Sequence, residues 1–330
     1  MAKKKEENII ETIHPMRRSD LLGQAAAEKL FLDAWKNRDA RPLHPVWILA
    51  GPKGVGKATL AHRIARFVLS GGAGATLEIP AHEAAFQRYI DGGYADLAIV
   101  SLETDPEEKS EISVDFARRM TESLRMSASD DSWRVVVIDS IDDMNRNAAN
   151  SLLKILEEPP AKTLFLIVAH RLASVLPTIK SRAQVVRCGV LNESDVRKIL
   201  IESAGMDADM EKLGRAAAAS DGSVAKALSV LGAGDDFPDM FAIAGMVSAP
   251  ETKASKLVEI SKQLAAGEES MSMLLDVVHY LSRATPSLAR LYSEAAAELA
   301  SADALNLDPD ATAFKIIRDI RKCLSIPTAI

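Results

Sequence analysis

The stretch VWILAGPKGVGKAT, residues 46–59, decides the fold. Val46 to Ala50 is an unbroken apolar run, short enough to be a strand buried on both faces. It leads straight into Gly51-Pro52-Lys53-Gly54-Val55-Gly56-Lys57, which fits the spacing G-x-x-x-x-G-K. Glycines let successive backbone N–H groups curl around a phosphate, and the N-terminus of a following helix adds partial positive charge. Lys57 can reach the terminal phosphates as a point charge. Leu60, Ile64, Phe67 and Val68 then recur at helical spacing. Strand, glycine loop and helix in that order distinguish a phosphate-binding loop from a chance run of glycines.

Working outward, four more apolar runs predict strands: Leu97 to Leu102, Val135 to Ile138 ending in Asp139, Leu164 to Ala169, and Val185 to Cys188. Helical patterns alternate with them. Leu22, Ala26, Leu30 and Ala34 mark a helix before the loop. Ile112, Phe116, Met120 and Leu124 mark another, and Asn147 to Glu157 a third, stopped by Pro159 and Pro160. Continuous apolar strands alternating with helices predict a parallel sheet covered on both faces. Residues 71–95 read as loop with one short helix.

After residue 189 the strand signals vanish. Helices are expected over Glu193 to Ala204 with Gly205 as a cap, over Asp209 to Ala219, and over Ser223 to Leu231. The breaker-rich GAGDDFP, residues 232–238, marks a boundary. Beyond it lie long amphipathic helices, including Met273, Leu274, Leu275, Val277, Val278 and Leu281. The expected organisation is a leader over 1–20, an α/β domain over 21–189, a helical domain over 190–234 and a helical bundle over 235–330.

Composition narrows the functional classes. Of 330 residues, 48% are hydrophobic and 26% charged, with net charge −6, so the chain is a globular one that does not coat nucleic acid by bulk charge. No apolar run approaches the roughly 20 residues of a membrane helix, and the start lacks a secretory core. Cys188 and Cys323 form no CxxC pair, and six dispersed histidines have no ligand spacing, so no metal is expected. A reducing cytoplasm is the expected compartment. Lys3, Lys4 and Lys5 read as a solvated tail rather than a nucleic-acid arm.

The loop departs from its consensus where the metal belongs. The Ser or Thr that follows the lysine holds Mg²⁺ through its hydroxyl. Here that position is Ala58, and Thr59 lies about 100° further round a helix. Asp139 ends a buried strand, where a phosphate-loop NTPase places its metal-organising carboxylate. The next residue is Ser140, with Asp142 and Asp143 expected on the exposed start of the following helix. The nucleotide-binding candidates are therefore Gly51, Gly54, Val55, Gly56, Lys57, Ala58, Thr59 and Asp139. ATP or ADP fits the cradle, while hydrolysis in it is expected to be poor.

Three features carry a family resemblance: the loop, the helix NAANSLLKILEEPP (Asn147 to Pro160) and LPTIKSRAQ (Leu176 to Gln184). Together they resemble bacterial clamp-loader subunits of the AAA+ superfamily. The resemblance implies a phosphate-loop AAA+ parallel-sheet domain, a small helical lid domain and an all-α C-terminal collar domain for oligomerisation. Within that family the chain is similar to the delta-prime type rather than the gamma/tau motor type. Motors keep the metal-binding hydroxyl and a Glu after the strand Asp, where this chain has Ala58 and Ser140. They also keep an arginine three residues after the lid glycine, where this chain has Ala225, with Lys226 adjacent. His170 is the candidate for the polar sensor that ends the fourth strand.

Ser181-Arg182 matches the family's Ser-Arg-Cys motif, with Ala183 in place of cysteine. The resemblance implies that Arg182 projects into a neighbour's nucleotide site as a finger, with a surface cation as the plainer alternative. It implies gamma/tau and delta subunits as partners in a hetero-pentameric ring, and contact with the sliding clamp and primer-template DNA through the assembly. In that reading the chain is a subunit of the DNA polymerase III holoenzyme with weak or absent ATPase of its own. An active motor, with Thr59 or Asp142 compensating, is the alternative; a kinase-like enzyme for small metabolites leaves the domain layout unexplained. Many relatives insert a four-cysteine zinc module between the first helix and second strand, but residues 70–96 hold no cysteine, so no zinc is expected. Arg118, Arg119 and Arg125 share a predicted helix, yet none is assigned to DNA.

Overall fold

A computed structural model of the chain describes residues 13–105, 111–119, 132–204, 209–231, 240–265, 268–304 and 307–326. Lys3 to Lys5, Glu107, Glu108, Met120, Leu124, Arg125, Gly205 and the boundary at 232–238 lie outside those residues. The chain forms two compact units that divide between Ile199 and Leu200.

The first unit is built on five parallel strands: β1 (Val46–Ala50), β2 (Leu97–Ser101), β3 (Arg134–Asp139), β4 (Thr163–Ala169) and β5 (Gln184–Arg187). Their order across the sheet is β2-β3-β4-β1-β5, so the strand feeding the glycine loop lies between β4 and β5. Register pairs Ile48 with Ile167 on one side and Val185 on the other. The two-residue pleat sorts the apolar runs into two cores. Val46, Ile48, Ala50, Val136, Ile138, Phe165 and Ile167 face one of them, which is closed by Ala148, Leu152, Ile155 and Leu156. Trp47, Leu49, Val135, Val137, Leu164, Leu166 and Val168 face the other, closed by helices α1 (Ala25–Lys36) and α2 (Lys57–Leu69).

Two helices differ from expectation. The buried face of α1 is Ala27, Phe31 and Trp35, and Leu30 is 44% exposed, so the expected Leu22-Ala26-Leu30-Ala34 stripe is one residue out of phase. The aromatics decide the rotation because they bury the most area: Trp35 packs against Phe31, Phe67 and Trp133, and Phe31 against Trp47. After α3 (Ala84–Ile90), the expected single helix over Asn147 to Glu157 is two, α4 (Arg146–Ser151) and α5 (Leu153–Glu157). The Ser151 hydroxyl donates to Ala148 O, and Leu152 N bonds Ala149 O in the tighter i−3 pattern, interrupting the ladder at Leu152. A short helix, α6 (Pro177–Lys180), precedes β5, and α7 (Glu193–Ala204) crosses the division between the units.

The cysteine-free segment between α2 and β2 is held by apolar burial and one cation. Leu77, Phe86 and Tyr89 are buried, and the buried Arg66 guanidinium lies 4.1 Å from the Phe86 ring centroid. Arg66 also donates to Met16 O and Arg18 O, tying the N-terminal segment down.

The described residues of the second unit contain only helices: α8 (Met210–Ala219), α9 (Val224–Leu231), α10 (Met240–Ser248), α11 (Ala254–Leu264), α12 (Glu268–Ala284), α13 (Leu288–Ala304) and α14 (Pro309–Cys323). Met273, Leu274, Val277 and Val278 are buried on one face of α12. The α8–α9 turn is anchored to α12 by charge. Asp221 pairs with Lys226 (2.7 Å), with His279 (3.0 Å) and with Arg283, and Asp276 takes the Lys226 ammonium at 3.5 Å. Among the described residues no helix is long and apolar enough to cross a membrane.

Candidate functional site

At the carboxyl edge of the sheet the chain leaves β1 into the glycine loop, which α2 closes. Gly51 is held there by contact: a Cβ on it would stand 2.2 Å from Cys188 O, and Cys188 N donates to Ala50 O at 2.8 Å. Gly56 has φ +95° as the residue capping α2, a conformation L side chains rarely adopt. Gly54 also has a positive φ, +78°, and Val55 is fully buried beneath the turn.

The loop has an anchor that the sequence did not disclose. Gln24, immediately before α1 and only 3% exposed, donates Nε2–H groups to Val55 O at 2.9 Å and Gly189 O at 2.8 Å. One amide thus clamps the loop to the segment leaving β5. A glutamine in a helical stretch carries no local signal of this; the partners are 31 and 165 residues away.

Several polar groups of the pocket have partners close by. Lys57 is buried, and its ammonium donates to Pro52 O within its own loop. Burial brings its pKa down to about 8, against the opposing pull of Cys188, Asp139 and Asp142. Asp139 ends β3 as expected. Burial, with Asp143 adding to it, pushes its carboxyl up to about 6, and Lys57 counteracts. Ser140 is 1% exposed and donates Oγ–H to Asp143 Oδ2 at 2.7 Å, so its hydroxyl is occupied.

Asp142 and Asp143 are not the exposed helix start expected of them. Both sit in a single 3-10 turn, Ile141–Asp143, and both are half-buried. Asp142 accepts from His170 N, from Arg171 N at 3.2 Å and from Ser174 Oγ at 3.1 Å. A carboxylate is needed to satisfy the orphan donors that follow β4, and this one is within reach. His170 itself lies at the end of β4 with Nδ1 buried and unpartnered, and burial holds its pKa low.

Magnesium does not fit this donor set. Ala58, where the metal-binding hydroxyl belongs, offers no oxygen and packs on the apolar core beneath α2, and Thr59 is buried on the helix one step further round. Among the described residues no cluster of His, Cys, Asp or Glu could hold a metal ion. The loop backbone could cradle a phosphate, and the residue after Lys57 brings no oxygen to a metal beside it.

Arg182 is in different surroundings. It follows α6, and its side chain is 37% exposed. Its Nη1 donates to Thr178 O at 2.9 Å and to Ser181 Oγ at 3.2 Å, and its Nη2 pairs with Glu157 Oε1 at 2.8 Å. Glu157 is the last residue of α5, so the two halves of the LLKILEEPP and TIKSR signatures meet at this ion pair. Lys180 turns inward to Leu172 O at 3.3 Å. Arg118 and Arg119 are exposed. In the second unit Ala225 is flanked by Lys226, whose ammonium Asp221 and Asp276 hold.

The chain is similar to several known proteins. A delta' subunit of DNA polymerase III from Pseudomonas aeruginosa is 35% identical over 158 residues, covering 47% of this chain and 46% of its own length. A gamma subunit from Buchnera aphidicola (Schizaphis graminum) is 28% identical over 192 residues, covering 57% of this chain and 51% of its own. The chain thus spans about half the length of the curated relatives it matches. A gamma-subunit-related protein of Thermotoga maritima superposes with TM-score 0.47 at 16% identity, over 89% of this chain and 99% of its own. The family model described as DNA polymerase III, delta subunit matches residues 24–191, from the clamping Gln24 through the loop, Asp139 and Arg182. The chain belongs to that DNA polymerase III delta subunit family.

Proposed function

We propose that this chain is a clamp-loader subunit of the delta-prime kind, a ring member that helps place the sliding clamp on primed DNA. It binds ATP or ADP without efficient hydrolysis and lends Arg182 to the nucleotide site of a gamma/tau neighbour. Its 190–234 region is the lid, and its 235–330 helices are the collar through which it assembles with gamma/tau and delta subunits. A planar guanidinium stabilises charge developing on a transferred phosphoryl group, a role worth about 10³–10⁵ in rate for such fingers.

The observation that carries the reading is the Ser140–Asp143 hydrogen bond beside Ala58. The position after Lys57 supplies no hydroxyl for a metal, and the residue after Asp139 is a serine already bonded to Asp143 rather than an acid that could orient water. The gamma-subunit relative favours a second reading, an active ATPase. Steady-state hydrolysis by the isolated chain separates the two. Turnover at background with nucleotide binding retained is expected; magnesium-dependent turnover that Lys57→Ala abolishes would establish the motor instead.

A further inference from the structure

Arg182 has three described partners, and they divide into two kinds. Thr178 O and Ser181 Oγ belong to the same short helical segment as the arginine and move with it. Glu157 belongs to a different helix, α5, 25 positions earlier in the chain, and no other partner of its carboxylate is found among the described residues. Nη1 is therefore spent on fixing the side chain's direction, while Nη2 holds an oxyanion at 2.8 Å. A carboxylate oxygen at that distance offers what a phosphate oxygen would: a planar, charge-assisted contact to one edge of the fork.

We infer that Glu157 is a competing anion for the finger, a resident carboxylate that occupies Nη2 of Arg182 until a neighbour's phosphate replaces it. The inference rests on the finger reading of Arg182 given above. Its physics favours easy exchange. The Glu157 and Arg182 side chains are 48% and 37% exposed, so the pair is weak and the released carboxylate is taken up by water. The same carboxylate also repels an approaching triphosphate until the arginine has turned to it. Removing its charge lowers both obstacles, and the arginine keeps its orientation through Thr178 and Ser181.

The test titrates full-length chain, wild type or substituted, into gamma/tau and delta subunits of the same organism and follows ATP hydrolysis. Glu157→Gln is expected to lower the concentration giving half-maximal stimulation by about two- to fivefold, the range an exposed ion pair allows. The gap should narrow as salt rises from 50 to 500 mM, and thermal unfolding of the isolated chain should be unchanged. Glu157→Asp should return the midpoint towards wild type, and Glu157→Gln placed on Arg182→Ala should change nothing further. A Glu157→Gln midpoint equal to or above wild type, while Arg182→Ala still abolishes stimulation, overturns the inference and leaves the finger reading intact. Stimulation indifferent to Arg182→Ala overturns the finger reading itself, and the inference with it.

Discussion

The glycine loop and the Arg182 segment lie in one unit and treat charge in opposite ways. Around the loop three polar side chains are turned inward: Lys57 to Pro52 O, Ser140 to Asp143, Asp142 to the backbone after β4. At Arg182 the guanidinium is partly exposed, directed by two local contacts and countered by one replaceable carboxylate. A pocket whose groups satisfy one another is stable and chemically quiet; a cation held by a weak exposed pair is available to something else. The proposed function rests on that difference, a loop that holds nucleotide without turning it over and a cation free to exchange partners.

The sharpest way to break that contrast is to keep the charge at 182 and change its shape. In an assembly with motor subunits, Arg182→Lys is expected to cut hydrolysis at the completed site by about 10³-fold, because an ammonium cannot supply the planar fork. Single-turnover kinetics would read it. Retained activity would reduce Arg182 to a surface cation.

The quiet pocket makes a pH prediction. A carboxyl whose folded pKa is raised to about 6 from the usual 3.8 binds its proton more tightly in the folded state. That stability is fully present below about pH 4 and is lost as pH rises through 6. Asp139→Asn removes the ionisation, so it should stabilise the chain at pH 7.5 by up to about 3 kcal/mol, with the gain fading towards pH 4. Thermal melts of both proteins across that range would show it; an Asn variant less stable than wild type at pH 7.5 contradicts the burial account.

A smaller effect sharpens the role of the clamp. Gln24→Ala strips a donor from two buried carbonyls, at a cost of about 2 kcal/mol and a fall in Tm of about 4–8 °C. Nucleotide affinity should fall with it, because the loop loses its tie to Gly189. Smallest of all, Ser140→Ala should lower stability by about 1 kcal/mol through the lost bond to Asp143 and leave background turnover where it was. A rise or fall in turnover would mean that Ser140 touches the chemistry.

What the sequence disclosed and what it withheld follow one physical line. The strands, the loop and Asp139 were legible because each is a local pattern: an apolar run, a glycine spacing, an acid closing a strand. The phase of α1 was not, since Leu30 and Phe31 are equally apolar by type, and only the aromatic contacts across the core choose between them. The contacts of Gln24, Arg66 and Asp142 were not legible for a different reason. Each satisfies backbone groups distant in sequence, and a single polar side chain gives no sign of which carbonyl or amide it will meet. Arg182 was legible as a motif, but its pairing with Glu157 required the two motifs to be seen side by side.

The most direct test pairs two substitutions in the same reconstituted loader. Clamp loading and ATP hydrolysis on primed DNA are measured with this chain as wild type, Arg182→Ala or Lys57→Ala. The expected result is that Arg182→Ala abolishes the stimulation this chain provides while Lys57→Ala leaves the hydrolysis rate unchanged. Hydrolysis lost with Lys57 and kept without Arg182 would place the working chemistry in the glycine loop and contradict the account.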